Sequence, residues 1–329
     1  MKSFFNKLSI YLLLMFFLLS AYGFFCEWFF TKEKYFPDES KRAWSMKQQN
    51  TRFDYAVLGS SRAEGAFDMS LLDSLLQQKG INIGCNGSGF VDNYLVFSRF
   101  IQNHNSIKTL FLQVDVYSLD PEHNFSNSFH VYNFLPFWKE DIFKTAISHY
   151  LTRSDSLVFT YLPWMRFYVY NKYFSPFEVL RRVKNGQSVK IAKKDRPQYY
   201  FTTPKIFTDS SIFYKNSIPR GITIQSFDVD YLNKIIALAK EQGIKVVLFT
   251  APDFIHQESV FTNYQRTKNE LDSILSPYSL LHVKSEDSIR RNISLFKDPA
   301  HLNNYGRFLH TVSFAKNYWN ACNLSKAND

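Results

Sequence analysis

From Leu8 to Cys26 the chain runs 19 residues without a charge, and this run constrains the fold more than any other feature. As a helix rising about 1.5 Å per residue it spans roughly 28 Å, close to the hydrocarbon thickness of a bilayer. Eleven of the 19 residues are Leu, Ile or Phe, which at about −0.5 kcal/mol each favour insertion by roughly 5 kcal/mol. A cleaved signal peptide has a shorter apolar region followed by a small-x-small site. Ser20-Ala21-Tyr22-Gly23 is a weak version of one, and Phe24, Phe25, Trp28, Phe29 and Phe30 carry the apolar character well past it. The expectation is a retained, single-pass transmembrane helix. Lys2 and Lys7 place residues 1–7 in the cytoplasm, although Lys32 and Lys34 weaken the asymmetry, so the body is expected on the outer (periplasmic or extracellular) face of the cell membrane.

The body is large enough for a substantial core. The chain has 329 residues, 45% hydrophobic and 21% charged, which excludes a disordered tail protein. After a polar juxtamembrane stretch (31–52), Tyr55 to Leu58 reads as a buried strand stopped by Gly59-Ser60-Ser61. Met69 to Gln78 carries Leu at one helical face, and Gly80 is expected to cap it. Ile81 to Gly84 reads as strand, Phe97 to Ile101 as helix and Thr109 to Val116 as strand. Val229 to Gln242 is an amphipathic helix closed by Gly243, and Lys245 to Thr250 is another buried strand. This alternation predicts an α/β fold with a doubly wound parallel sheet.

Between Ser118 and Ser226 the rhythm is lost over a stretch dense in Tyr, Phe, Trp and Pro. A structureless loop of that size inside a compact domain is improbable, so residues 118–226 are expected to form an inserted subdomain. Its aromatics can build the insert's own small core or wall a sugar-binding site, and core packing is the commoner use. The expected organisation is therefore a tip and anchor (1–30), a linker (31–52), an α/β domain (53–117 and 227–320) and the insert.

Three short segments carry chemistry. Ligands of open α/β sheets bind beyond the carboxyl ends of the strands, where Gly59-Ser60-Ser61-Arg62 presents a serine. Asn82 to Gly89 is a glycine-rich turn at the same edge, and it matches neither a dinucleotide fingerprint nor a phosphate loop. Asp298-Pro299-Ala300-His301 places a carboxylate and an imidazole on one side of a turn, where the carboxylate can fix the tautomer of a base. A serine nucleophile needs such a base.

Together these segments resemble the blocks of the SGNH (GDSL-like) hydrolase superfamily, over roughly 53–117 and 227–318. The resemblance implies a three-layer α/β/α fold. It also implies Ser61 as nucleophile, His301 as general base, Asp298 as its orienting acid, and Gly87 as an oxyanion donor with the Ser61 amide. One block departs: the oxyanion asparagine expected after the third strand is replaced by Asp115 or absent, leaving Asn86 as a substitute donor. With the N-terminal anchor, the pattern is similar to membrane-tethered branches that act in cell-envelope acylation. The implied function is hydrolysis or transfer of an acyl ester on an envelope polysaccharide or other acylated glycan, with a membrane acyltransferase as a possible partner. The competing class keeps the fold without the chemistry, as a non-enzymatic glycan-binding or assembly partner.

The remaining features argue for less. The three cysteines (Cys26, Cys85, Cys322) form no framework and no zinc pair, and the histidines outside the third segment show no ligand spacing, so neither metal nor cofactor is expected. The net charge of +10 is densest from Arg181 to Arg196. No nucleic-acid motif accompanies that stretch, which reads as a solvated face, with membrane phospholipid the nearest candidate if it binds.

Overall fold

The structure is a computed structural model and describes residues 2–31, 41–119, 131–170, 174–184 and 220–327. The chain opens on a long helix, α1 (Lys2–Phe30). It continues through β1 (Tyr55–Leu58), α2 (Ser61–Ala66), α3 (Met69–Leu76), β2 (Gly80–Asn82), α4 (Phe90–Gln102) and β3 (Thr109–Gln113). The insert contributes α5 (Asp141–Ser148), α6 (Arg153–Tyr161), α7 (Pro163–Val169) and α8 (Pro176–Lys184). The alternation then resumes with α9 (Ser226–Glu241), β4 (Lys245–Phe249), α10 (Tyr264–Leu275) and β5 (Leu281–Val283). A short antiparallel pair, β6 (Phe296–Asp298) and β7 (His301–Leu302), leads into α11 (Asn304–Ala327).

The chain falls into two compact units, Met1–Trp44 with Phe125–Ile191, and Ser45–Asn124 with Ala192–Asp329. The first groups α1 with the helices of the insert, segments that the sequence suggested as separate pieces. Residues 32–40 of the linker and 185–219 of the insert, including Lys190, Lys193, Lys194 and Arg196, lie outside the described residues.

The second unit is the α/β body. Its five strands are all parallel in the order β2-β1-β3-β4-β5. The order reverses between β1 and β3, so the sheet is doubly wound and has a crevice at that point. β1, β3 and β4 read as continuous apolar runs because both faces are covered. Tyr55, Val57, Phe111, Val247 and Phe249 face a core shared with Ala63 of α2, Phe67 just after it, Leu72 of α3 and Phe314 of α11. The alternate positions Ala56, Leu58, Leu110 and Leu112 are equally buried and point to the opposite face, where α4 and α9 pack together, with Tyr94 against Tyr231.

Two local expectations are corrected. Gly80 does not cap the helix after β1: α3 ends at Gln77 in the left-handed conformation (φ 53°). Gly80 instead opens β2, where a Cβ would run into the Tyr55 ring, so the glycine is required by packing and not by a turn. The third strand ends at Gln113 and not at Val116, because the chain turns into a short 3-10 segment at Val116–Leu119.

Candidate active site

The site is built from the loops that leave β1, β2, β3 and β4 together with the β6–β7 hairpin. After β1 the chain must turn within Gly59-Ser60, and a side chain at Gly59 would strike Gln113 Oε1 at 2.5 Å and Ala63 Cβ at 2.7 Å. Gln113, at the end of β3, occupies that space. Its Oε1 accepts from Ser60 N (2.9 Å), Ser60 Oγ (3.0 Å) and Ala63 N (3.1 Å). Ser60 is the N-cap of α2, its hydroxyl accepting from Arg62 N at 3.3 Å. Ser60 is thereby committed to Gln113 and to the helix cap, and Ser61 is left as the first residue of the helix.

The hairpin supplies the partners of Ser61. Asp298 and His301 face each other across the Pro299-Ala300 turn. Phe296 and Leu302 of the hairpin sit on an apolar cushion with Phe254, Ile289 and Leu295, and the loop after β4 is tied to the turn by Phe254 N donating to Pro299 O (2.8 Å). Asn303 fixes the exit, its Oδ1 accepting from Tyr305 N (3.1 Å) and Gly306 N (3.0 Å) and its Nδ2 donating to Ser294 O (2.6 Å).

This framework brings Ser61, His301 and Asp298 into one chain of hydrogen bonds. His301 Nε2 lies 2.8 Å from Ser61 Oγ, and His301 Nδ1 lies 2.8 Å from Asp298 Oδ1. An ionised carboxylate only accepts, so Nδ1 carries the ring proton, Nε2 is the acceptor and the Ser61 hydroxyl donates to it. The Asp298 side chain is 44% exposed and that of His301 27%. Burial pushes the Asp298 carboxyl up, but the hydrogen bond and charge of His301, the Ala300 amide and Lys297 outweigh it and hold the carboxyl below its ordinary range. The aspartate is thus kept ionised beside the imidazole.

The turn after β2 closes the other side. Ile83 N and Gly84 N donate to Val57 O (2.8 and 3.1 Å), and Cys85 N donates to Gly59 O (2.9 Å). Asn82 is fully buried and structural: its Nδ2 donates to Ala63 O (3.0 Å) and its Oδ1 accepts from Gly84 N (3.0 Å). Gly87 has φ 69°, a left-handed conformation that favours glycine. Ser61, Asn86, Gly87, Tyr117, Arg220, Phe261 and His301 line one cavity of about 420 Å³, within the size range of small-molecule sites. Among the described residues, no protein acceptor pairs with the amide N–H of Ser61 or Gly87.

Asp115 lines the same cavity but is not an oxyanion donor, because a carboxylate accepts. Its Oδ2 takes Arg62 Nη1 at 2.8 Å and Gln113 Nε2 at 2.6 Å, and its Oδ1 takes Ser118 N at 3.1 Å and Ser118 Oγ at 3.0 Å. Its role is to hold Arg62, whose guanidinium also donates to Ala251 O and lies 3.8 Å from Asp253. Burial disfavours the charged guanidinium, but Asp115 and Asp253 reverse this and hold it more basic than usual. Arg62 therefore ties the carboxyl ends of β1, β3 and β4 together behind the serine. Arg62, Gln113 and Asn303 are the residues that sequence reasoning missed. Asn303 had a signal in its place just before a helix start, whereas an arginine after a serine and a glutamine at a strand end carry none.

No family model matches the chain, and no curated protein matches it. Solved structures to which it is similar include a candidate acylhydrolase from Bacteroides fragilis NCTC 9343, at 12% identity and TM-score 0.39 over 85% of this chain and 89% of that one. A GDSL-like lipase from Bacteroides thetaiotaomicron VPI-5482 aligns at 9% identity and TM-score 0.37, over 82% of this chain and 88% of that one. At these scores the likeness is distant, and the reading of the site rests on its own geometry.

Proposed function

We propose that this chain is a serine acyl-ester hydrolase or O-acyltransferase of the SGNH type, held at a membrane by α1 and acting on an acylated envelope glycan. The observation that carries the reading is the unbroken relay from Ser61 Oγ through His301 to Asp298, at 2.8 Å per step. Ser61 Oγ attacks the acyl carbonyl carbon while its proton passes to His301 Nε2. The oxyanion meets the N–H groups of Ser61 and Gly87, with the Asn86 side chain at the same cavity wall. When the C–O bond to the leaving sugar breaks, His301 returns the proton to that oxygen. Water or a second sugar hydroxyl then attacks the Ser61 ester, loses its proton to His301, and Ser61 Oγ recovers one.

Polar and aromatic walls (Tyr117, Ser118, Arg220, Asp253, Phe261) suit an acylated sugar better than a bare hydrocarbon chain. The apolar length of α1 supports membrane attachment, and Lys2 and Lys7 before it support an outward-facing body. A membrane acyltransferase is the kind of partner that would supply an acyl donor on that face. Release of acetate from an O-acetylated polysaccharide, with and without an added glycan acceptor, tests the reaction. The wild-type chain is expected to release or transfer the group and Ser61→Ala to do neither; equal turnover by both would overturn the reading.

A further inference from the structure

We propose that the insert is a second membrane contact: α8, with the exposed apolar residues of α6 and α7, lies in the headgroup–acyl boundary of the bilayer that α1 crosses. The proposal rests on the reading of α1 as a membrane span. Along α1 the large apolar side chains from Phe4 to Leu18 are exposed, as a lipid-facing helix requires. From Tyr22 onward, protein packs against it. A Cβ on Gly23 would fall 2.5 Å from Trp164 N in α7, the Tyr22 hydroxyl donates to Phe174 O at 2.5 Å, and the Phe30 and Phe174 rings meet at 4.8 Å. A hydrocarbon layer of about 30 Å entered near Leu8 ends roughly 20 residues later, close to Glu27. The contacts of α1 with α7 and with Phe174, two residues before α8, therefore fall at the outer boundary of the bilayer.

The charges at that level agree. Glu27 is buried at the end of the apolar run and is neutralised by insert residues, with Arg166 Nη2 at 2.5 Å and Lys139 Nζ at 2.7 Å. A carboxylate at this depth needs such partners. Helix α8 then shows the pattern of an interfacial helix. Val179 and Arg182 turn inward and are buried, whereas Phe177 (83% exposed), Leu180 and Val183 stand outward at i, i+3 and i+6, within about a third of the helix circumference. Lys184 lies at the end of that face, suited to lipid phosphate. Tyr161, Tyr168 and Val169 add exposed apolar and amphipathic surface on α6 and α7, the residue types of a membrane interface.

The test uses the full chain in vesicles of phosphatidylcholine and phosphatidylglycerol, with Cys322→Ser removing the more accessible native thiol. Spin labels are placed singly at Phe177→Cys, Val183→Cys, Leu12→Cys and Glu241→Cys, and collision with oxygen is compared with collision with an aqueous nickel chelate. The Leu12 label is expected to report hydrocarbon, the Glu241 label water, and the Phe177 and Val183 labels a shallow depth between them. Phe177 and Val183 labels as aqueous as Glu241, with Leu12 still deep, would overturn the docking and leave the anchor standing. Labels at Phe177 and Val183 shielded from both reagents would mean that protein covers the face, which also overturns it. An aqueous Leu12 label would reject the span itself, and the docking with it.

Discussion

Ser60 and Ser61 are adjacent and chemically identical, yet the backbone gives them opposite fates. Ser60 caps α2 and is held by Gln113, whereas the Ser61 hydroxyl faces His301. Ser60→Ala is expected to cost about 1 kcal/mol of stability, as lost N-caps do, and to leave the Ser61 relay in place; a thermal melt beside a turnover assay separates the two. Asp298→Asn is expected to preserve the fold but to lower acyl-ester turnover by up to about 10⁴-fold, because an amide no longer fixes the tautomer of His301. A titration effect belongs to a residue outside the site. His310 is buried and stacks on Phe67 with ring centroids 5.2 Å apart, and neither ring nitrogen has a partner among the described residues. Burial, and then the charge of Arg62, push it down to about 3. The unfolded chain takes up this proton near its ordinary value of about 6.5, so the stability is fully present above that pH and is lost progressively as pH falls toward 3. Between pH 6.5 and 5 the loss is about 2 kcal/mol. His310→Phe keeps the stack and is expected to shrink the fall in melting temperature between pH 7 and 5.

At the scale of elements, strands buried on both faces were legible because a continuous apolar run ended by glycine or a polar turn has few other readings. β1 and β4 lie where Tyr55-Ala56-Val57-Leu58 and Lys245 to Phe249 indicate. β5 escaped notice because Leu281-His282-Val283 is three residues long with a histidine at its centre, and an edge strand pairs on one side only. The β6–β7 hairpin was legible as the spacing of Asp298 and His301 but not as strands, since they rest on a cushion that includes Phe254, 42 positions before Phe296. Long-range packing also explains Gly80, whose neighbour Tyr55 lies 25 positions earlier and cannot be read from local turn chemistry. Arg62 is the clearest case of an element-level device, joining the ends of three strands through Asp115, Ala251 and Asp253. Arg62→Met leaves those carboxylates short of positive charge in a buried place and is expected to destabilise the body by about 3–5 kcal/mol, read as a lowered midpoint in denaturant. An unchanged midpoint would mean that Arg290, 3.0 Å from Asp253, suffices to hold the cluster.

Across the whole molecule, α1 belongs to the first unit together with the helices of the insert. Gly23, Cys26, Glu27, Phe29 and Phe30, all beyond Ala21, are buried in it, and the apolar run from Leu8 to Cys26 is long enough to span a bilayer and carries only a weak small-x-small site. The mature chain extracted from membranes is therefore expected to retain residues 8–26, and N-terminal sequencing that begins at Tyr22 or later would contradict this. In the second unit Ser61 and His301, far apart in the chain, meet at the edge of one sheet. The most direct measurement is labelling of the full chain with a fluorophosphonate probe followed by peptide mapping. A single modified residue, Ser61, is expected, with labelling lost in Ser61→Ala and His301→Ala and kept in Ser60→Ala. Absence of labelling in a folded chain, or modification at a serine other than Ser61, would contradict this.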